Sequence, residues 1–424
     1  MESESHHRAG LFDVSGDMTG PEKMLCELIA LPSVNPAFLP DGDPRAGEGR
    51  VAHFLAATAA LAGLDVDLQE VPFWEDGRMG QTPSPKPQTP SANRQSAIRS
   101  PQSGVRSNLI ATLRPGRRAR LRVILAPHLD TVPGISDEQY QPQLHGARIY
   151  GRGACDTKGS VAAMLTALCE LAKHGPRPAE TEIVFAGLVD EENLQCGSRA
   201  LAAAGWKADL AIVGEPTRLQ IVTAHKGSLW LGLATRGKSA HGSRPDLGRN
   251  AVHEMARVVC LLEGEYARKM LRRRHPLLGH ATVNVGVIAG GTQPNIVPGA
   301  CRIKVDRRTL PGETEQTVRA ELGELFRRRK LRVEIDNQKG VPCQPMETDA
   351  RLPLVRQFFR ATGQKEAAGV DYFCDASVLA RAGISSVVFG PGDIAQAHTA
   401  DEWIARKSLE EATGLLLKFL RTLP

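Results

Sequence analysis

TEIVFAGLVDEEN, residues 181–193, is an apolar run that stops at three consecutive acids, Asp190, Glu191 and Glu192. An uninterrupted apolar run of this length predicts a strand buried on both faces. The same reading extends in both directions. LRVILAP (121–127) runs into His128-Leu129-Asp130, and residues 208–213 run into Gly214-Glu215-Pro216. Residues 384–389 lead through Gly390-Pro391-Gly392 to His398, and Asp156 closes a Gly-rich turn (150–156) ahead of a helix at 158–174. Strand, helix and strand alternate as far as Val213, the pattern of a parallel sheet with crossovers. Such strands deliver their last residues to one rim, where open α/β sheets bind ligands.

A chain of 424 residues exceeds what a single core holds, so two domains are expected. Composition is that of an ordinary globular protein, and the formal charge of +6 is modest for this length. Aromatic residues make up 4%, too few for the stacking platforms of single-strand nucleic-acid binding. The basic runs at 272–274 and 327–330 fall in helical patterns and read as solvated faces. Nucleic acid is therefore not an expected partner. Eight cysteines lie scattered without a CxxC pair, which suits free thiols in a reducing cytoplasm. The polar amino terminus MESESHHRAG has no apolar core of a signal peptide. No apolar stretch approaches the length of a membrane span.

The order of elements suggests an insertion. Helices are expected at 21–31 and 48–62, and strands at 66–71, 108–113 and 121–126. Residues 1–17 read as a disordered tail and 81–103 as a Pro-rich insertion loop. From about Ser228 the order becomes strand (228–236), helix (250–262), strands (282–288 and 302–307), helix (313–329) and strand (331–335). That βαββαβ order is the ferredoxin-like split unit. The α/β pattern then resumes with a helix at 352–361, the strand at 384–389 and a terminal helix at 408–423. The expected architecture is an α/β domain, residues 18–222 plus 339–424, whose mixed, largely parallel sheet lies between helices. An α+β domain, residues 223–338, is inserted into it.

His128, Asp156, Glu192, Glu215 and His398 offer two imidazoles and three carboxylates at one rim, a nitrogen and oxygen set suited to Zn²⁺ with Co²⁺ or Mn²⁺ able to substitute. Two such ions would activate water near neutral pH and polarise a carbonyl. Each residue alone has a plainer reading. Asp156 could cap the helix that follows, and Glu191 and Glu192 could be exposed loop acids. Because neighbouring side chains diverge, Glu192 can ligate while Glu191 stays free as a general base. Asp130, two residues after His128, fits the carboxylate that orients a metal-bound imidazole.

The stretches HLDTVP (128–133), YGRGACDTKG (150–159), VDEEN (189–193) and VGEPT (213–217) resemble the co-catalytic zinc amidohydrolases. That family includes acetylornithine deacetylase, succinyl-diaminopimelate desuccinylase, aminoacylase and the glutamate-releasing carboxypeptidases. The matches continue in KSAHGSRPDLGRNA (238–251), GGTQPNIVP (290–298), DRRTLPGE (306–313) and FGPGDIAQAHTADEW (389–403). The resemblance implies a zinc-exopeptidase-like fold with a dimerisation domain as the insertion. It implies that His128 and Glu215 hold one Zn²⁺, Glu192 and His398 a second, and Asp156 both, with Glu191 as base. It also implies that His241 reaches a neighbouring subunit's site to stabilise the oxyanion. Asn295 and Arg308 would hold the substrate.

The implied reaction is hydrolysis of the amide of an N-acyl-L-amino acid, acetylornithine-like substrates first, by a cytoplasmic homodimer. A desuccinylase or dipeptidase is the nearest alternative, and a non-catalytic binding protein on the same fold a further one. Phe373-Cys374-Asp375-Ala376 departs from relatives in carrying Cys374 where deacetylases usually have threonine. His225 and the remaining histidines carry no partner pattern.

Overall fold

The structure, a computed structural model, describes residues 18–72, 74–75, 78–79, 106–338, 340–341 and 343–424. The tail at 1–17 and nearly all of the Pro-rich segment lie outside those residues. In chain order the strands that build the two main sheets are β1 (Asp65–Val71), β2 (Arg106–Leu113), β3 (Leu121–Pro127), β4 (Thr181–Gly187), β5 (Leu210–Gly214), β6 (Val222–His225), β7 (Gly227–Arg236), β8 (Thr282–Gly290), β9 (Ala300–Thr309), β10 (Val333–Asn337), β11 (Met346–Glu347), β12 (Ala368–Val370) and β13 (Ser386–Val388). The helices are α1 (Gly20–Ile29), α2 (Gly49–Leu61), α3 (Lys158–His174), α4 (Cys196–Ala203), α5 (Ala251–Leu261), α6 (Ala267–Met270), α7 (Glu315–Arg328), α8 (Pro353–Thr362), α9 (Ala376–Arg381) and α10 (Arg406–Leu420).

The large sheet runs β1-β2-β4-β3-β5-β13-β6-β11, with β12 also paired to β6. Its centre, β4-β3-β5-β13, is parallel. The β1-β2-β4 side and the β13-β6-β11 side are antiparallel. Successive side chains on a strand face opposite ways, and the packing follows that alternation. Val123, Leu125, Ile183, Phe185, Leu210 and Ile212 join the core under α1, α2, α3, α8 and α10. Ile124, Ala126, Val184, Ala186, Ala211 and Val213 join the core under α4 and α9. All seven residues of β4 are buried, and residues 183–187 carry no polar side chain.

The second sheet is antiparallel in the order β8-β9-β7-β10. With α5 between its first and second strands and α7 between its third and fourth, this is the ferredoxin-like arrangement. Its core joins Leu229, Leu231, Leu233, Ile303 and Val305 to Met255, Val258, Leu322 and Phe326. The helical segment here is longer than its sequence pattern suggests, because α5 continues through a π-turn at Leu262–Tyr266 into α6. β6 crosses the boundary expected at residue 222 and pairs within the large sheet. A third, three-stranded sheet joins Gln143–His145, Arg148–Tyr150 and Trp403–Ala405. It brings the segment after His398 back beside the turn that carries Asp156.

Candidate active site

His128, Asp190–Glu192 and Glu215 directly follow the parallel strands β3, β4 and β5, so all stand on the carboxyl-terminal rim. A bridge between His128 and Leu188 carries the ladder to the first of them. Nε2 of His128 lies 3.1 Å from Oδ1 of Asp156 and 3.9 Å from Oε1 of Glu215. Nε2 of His398 lies 3.3 Å from Oδ2 of Asp156 and 3.1 Å from Oε1 of Glu192. The two oxygens of Asp156 thus face different imidazoles. Asp156 does not cap α3, whose N-cap residue, Thr157, makes no side-chain cap bond. Two groups of ligand-type atoms come within 4.8 Å of one another: His128, Asp156 and Glu192, and His128, Glu191 and Glu215. Glu191 therefore also lies close to His128.

The charges on this rim are unbalanced. Burial, reinforced by neighbouring acids, pushes the carboxyl groups of Glu191 and Glu215 well above the usual range and raises that of Glu192. Burial alone would lower the pKa of His128, but hydrogen bonding to Asp130 and Asp156 outweighs it and holds the imidazole protonated. Hydrogen bonds to Asp156 and Glu192 lift His398 to about 10. Oε1 of Glu215 is buried without a hydrogen-bond partner among the described residues. Four acids, three of them resisting ionisation, and two imidazoles make a donor set that fits divalent cations. A cation replaces the protons and relieves the repulsion.

Asp130 is fully buried. Nδ1 of His128 donates to the Asp130 carbonyl at 3.0 Å, while the carboxylate is farther, at 3.4 Å. The shorter bonds of that carboxylate go elsewhere. It accepts the backbone N–H groups of Glu191 and Glu192 and the amide of Asn35, at 3.0, 3.2 and 2.7 Å. Asp130 thus touches the imidazole and also fixes the backbone of the two acids. Asn35 donates to Asp190 as well, at 3.0 Å, and Arg106 pairs with Asp190 at 2.6 Å and with Glu48.

Sequence patterns gave no hint of Asn35, Glu48 or Arg106, which lie in three separate segments. They also missed Glu402. Its buried carboxylate accepts the N–H groups of Gly153, Cys155 and Asp156 at 3.0, 2.9 and 2.9 Å and pairs with Arg152 at 2.7 Å. Four residues after His398, Glu402 holds the whole turn that presents Asp156. The only trace of it in the sequence is the motif AHTADEW, which carries two acids, Asp401 and Glu402, close after His398.

Among the described residues the remaining candidates form no hydrogen bond or ion pair with the rim acids. His241 is exposed, with Nδ1 2.8 Å from Oγ of Ser243. Asn295 is exposed beside it, the two loops being joined by the Gly242 N–H to the Asn295 carbonyl at 2.6 Å. Arg308, near the end of β9, pairs with Asp306 at 3.0 Å and sits 6.0 Å from the Phe373 ring centre. Cys374 is fully buried, and burial raises its thiol pKa far above the ordinary value. His225 is buried in β6, and burial lowers it to about 4, so it stays neutral.

A rim of buried acids and imidazoles on this fold defines a metal-dependent amidohydrolase. The sequence pattern of Peptidase family M20/M25/M40 matches residues 124–422, and the chain belongs to that family. It is similar to an acetylornithine deacetylase of Myxococcus xanthus, 33% identical over 73% of this chain and 82% of the relative. An aminopeptidase PepT from Bacillus cereus shares the fold with a TM-score of 0.70 at 20% identity, over 95% of this chain and 97% of its own. The YXEP protein of Bacillus subtilis, described as a dinuclear metal-binding peptidase, superposes with a TM-score of 0.64 at 12% identity, over 95% of this chain and 96% of its own.

Proposed function

We propose that the protein hydrolyses the amide bond of an N-acyl-L-amino acid of the acetylornithine type. The observation that carries this reading is the surplus of buried carboxylate at the rim, with Oε1 of Glu215 unpartnered, together with similarity to relatives named acetylornithine deacetylase. His128 and Glu215 would hold one zinc ion, Glu192 and His398 a second, and Asp156 both; cobalt or manganese can replace zinc. Held there, the metal pair would supply Lewis acidity at the scissile carbonyl and a water nucleophilic near neutral pH. Glu191 takes the proton from the attacking water and passes it to the leaving amine. Asp130 keeps His128 and both glutamates in register. Arg308 clamps the substrate carboxylate, two N–H groups to two oxygens.

His241 and Asn295 share a pair of loops and, among the described residues, form no hydrogen bond or ion pair with the rim acids, which supports their acting at the site of a second subunit. β8 is the edge of the second sheet, and Val287 and Ile288 on it are 49% and 58% exposed. An exposed edge with apolar side chains is a ready pairing surface, and we assign the homodimer contact to it. The eight cysteines include no disulfide, which suits the reducing cytoplasm. The test is a turnover screen of N-acetyl, N-succinyl and N-formyl amino acids and dipeptides with added Zn²⁺ or Co²⁺. Preference for N-acetylornithine is expected. A clear preference for dipeptides would replace this substrate with the peptidase alternative.

A further inference from the structure

We propose that a small cavity between α4, α9 and the residues Val341 and Gln344 binds a small oxyanion such as phosphate or sulfate. The cavity has a volume of about 160 Å³ and is lined by Arg199, Val341, Gln344, Ser377, Val378 and Arg381. Sites for metabolite-sized ligands run to about 300–1,000 Å³, so this one takes an ion and not a second substrate.

Its lining brings two guanidinium groups together and includes no acid. Among the described residues neither Arg199 nor Arg381 forms an ion pair with an acid. Nε of Arg199 donates to the Leu194 carbonyl at 2.9 Å, which fixes the plane of the group and leaves its Nη atoms unengaged. The neighbouring buried acid, Asp375, accepts the Ser198 hydroxyl through Oδ1 at 2.6 Å and forms no ion pair with either arginine among the described residues. Burial lowers the pKa of Arg199 and outweighs the opposing pull of Cys343, Asp375 and Cys196. A partly buried Arg199 beside an exposed Arg381 is unfavourable unless an anion joins them. A tetrahedral oxyanion offers acceptors on several sides, to which a planar guanidinium donates in pairs. The side-chain amide of Gln344, also without a bond among the described residues, adds a neutral donor.

Bound there, an oxyanion would tie α4, which carries Ser198 and follows the acids at 190–192, to α9, which follows Asp375. The full-length, metal-loaded protein should then gain a saturable rise in Tm of about 2 °C with phosphate at ten times its Kd, measured against matched chloride. Arg381→Gln, on an exposed side chain, should fold, turn over normally and lose the saturable rise. Arg199→Gln should lose it too, and calorimetric titration with inorganic phosphate should show no heat in either variant. Phosphate acting only at the metal centre would inhibit and stabilise both variants as it does the parent. That result, or no saturable rise in the parent, overturns the proposal.

Discussion

Glu191 and Glu192 are adjacent in sequence, yet they occupy different parts of the rim. Glu192 touches His398, whereas Glu191 falls in a group with His128 and Glu215. Glu191→Gln keeps the shape and removes the proton acceptor. It should lower kcat by about 10²–10⁴ with metal content unchanged by elemental analysis; near-normal turnover would remove Glu191 as base. Glu402→Gln leaves Arg152 buried without its carboxylate. It should cost about 3–5 kcal/mol of stability and weaken metal retention on dialysis, because the turn presenting Asp156 loses its acceptor. Asp375 gives a pH-dependent prediction for the metal-free protein. Burial lifts its carboxyl from 3.8 to about 6 in the native state. Between those values the native state binds more protons than the unfolded one, so this group's contribution to stability falls as pH rises. Asp375→Asn should therefore raise Tm more at pH 7.5 than at pH 4.5; equal shifts at both would refute the assignment.

The strands and helices were largely legible, since their periods follow from burial. Helix Lys158–His174 is found at the limits its sequence suggests, and β4 is the apolar run that precedes the acids. Short strands were not. β6, β11 and β12 have four, two and three residues, too few for a period to register, and pairing with neighbours distant in sequence makes them strands. The π-turn after α5 escaped for a related reason, because its residues keep a helical pattern. At the element scale, Gly197 in α4 is decisive. A Cβ there would lie 2.5 Å from Oδ1 of Asn108 and from the backbone nitrogen of Val189. Gly197→Ala should push α4 from the strand leading to Glu191, and both Tm and kcat should fall. On the other face, Phe358 of α8 packs edge-to-face against Phe389 and at a tilt against Phe419, with ring centres 5.1 and 4.8 Å away. Phe358→Ala should cost about 3–5 kcal/mol by urea denaturation.

Across the whole molecule, two sheets divide the work: the large one presents the acid cluster, and the second carries His241, Asn295 and Arg308. If edge strand β8 is the dimer contact, Val287→Asp with Ile288→Asp should give a monomer by sedimentation that keeps its metal but loses most turnover. A fully active monomer would refute catalysis across the interface. The sequence by itself determined the class of fold, because alternation of apolar runs and amphipathic helices is a local property. It also supplied the five rim residues, because each stands where an apolar run or a glycine turn ends. Tertiary structure alone decided what holds those residues in place. Asn35, Glu48, Arg106 and Glu402 come from segments up to hundreds of residues away, and only folding shows that their hydrogen bonds converge. It also decided how Asp130 is used, since a carboxylate two residues from an imidazole can accept from it or from the chain beyond. Here the shorter bonds go to the chain, where burial leaves the N–H groups of Glu191 and Glu192 in need of an acceptor.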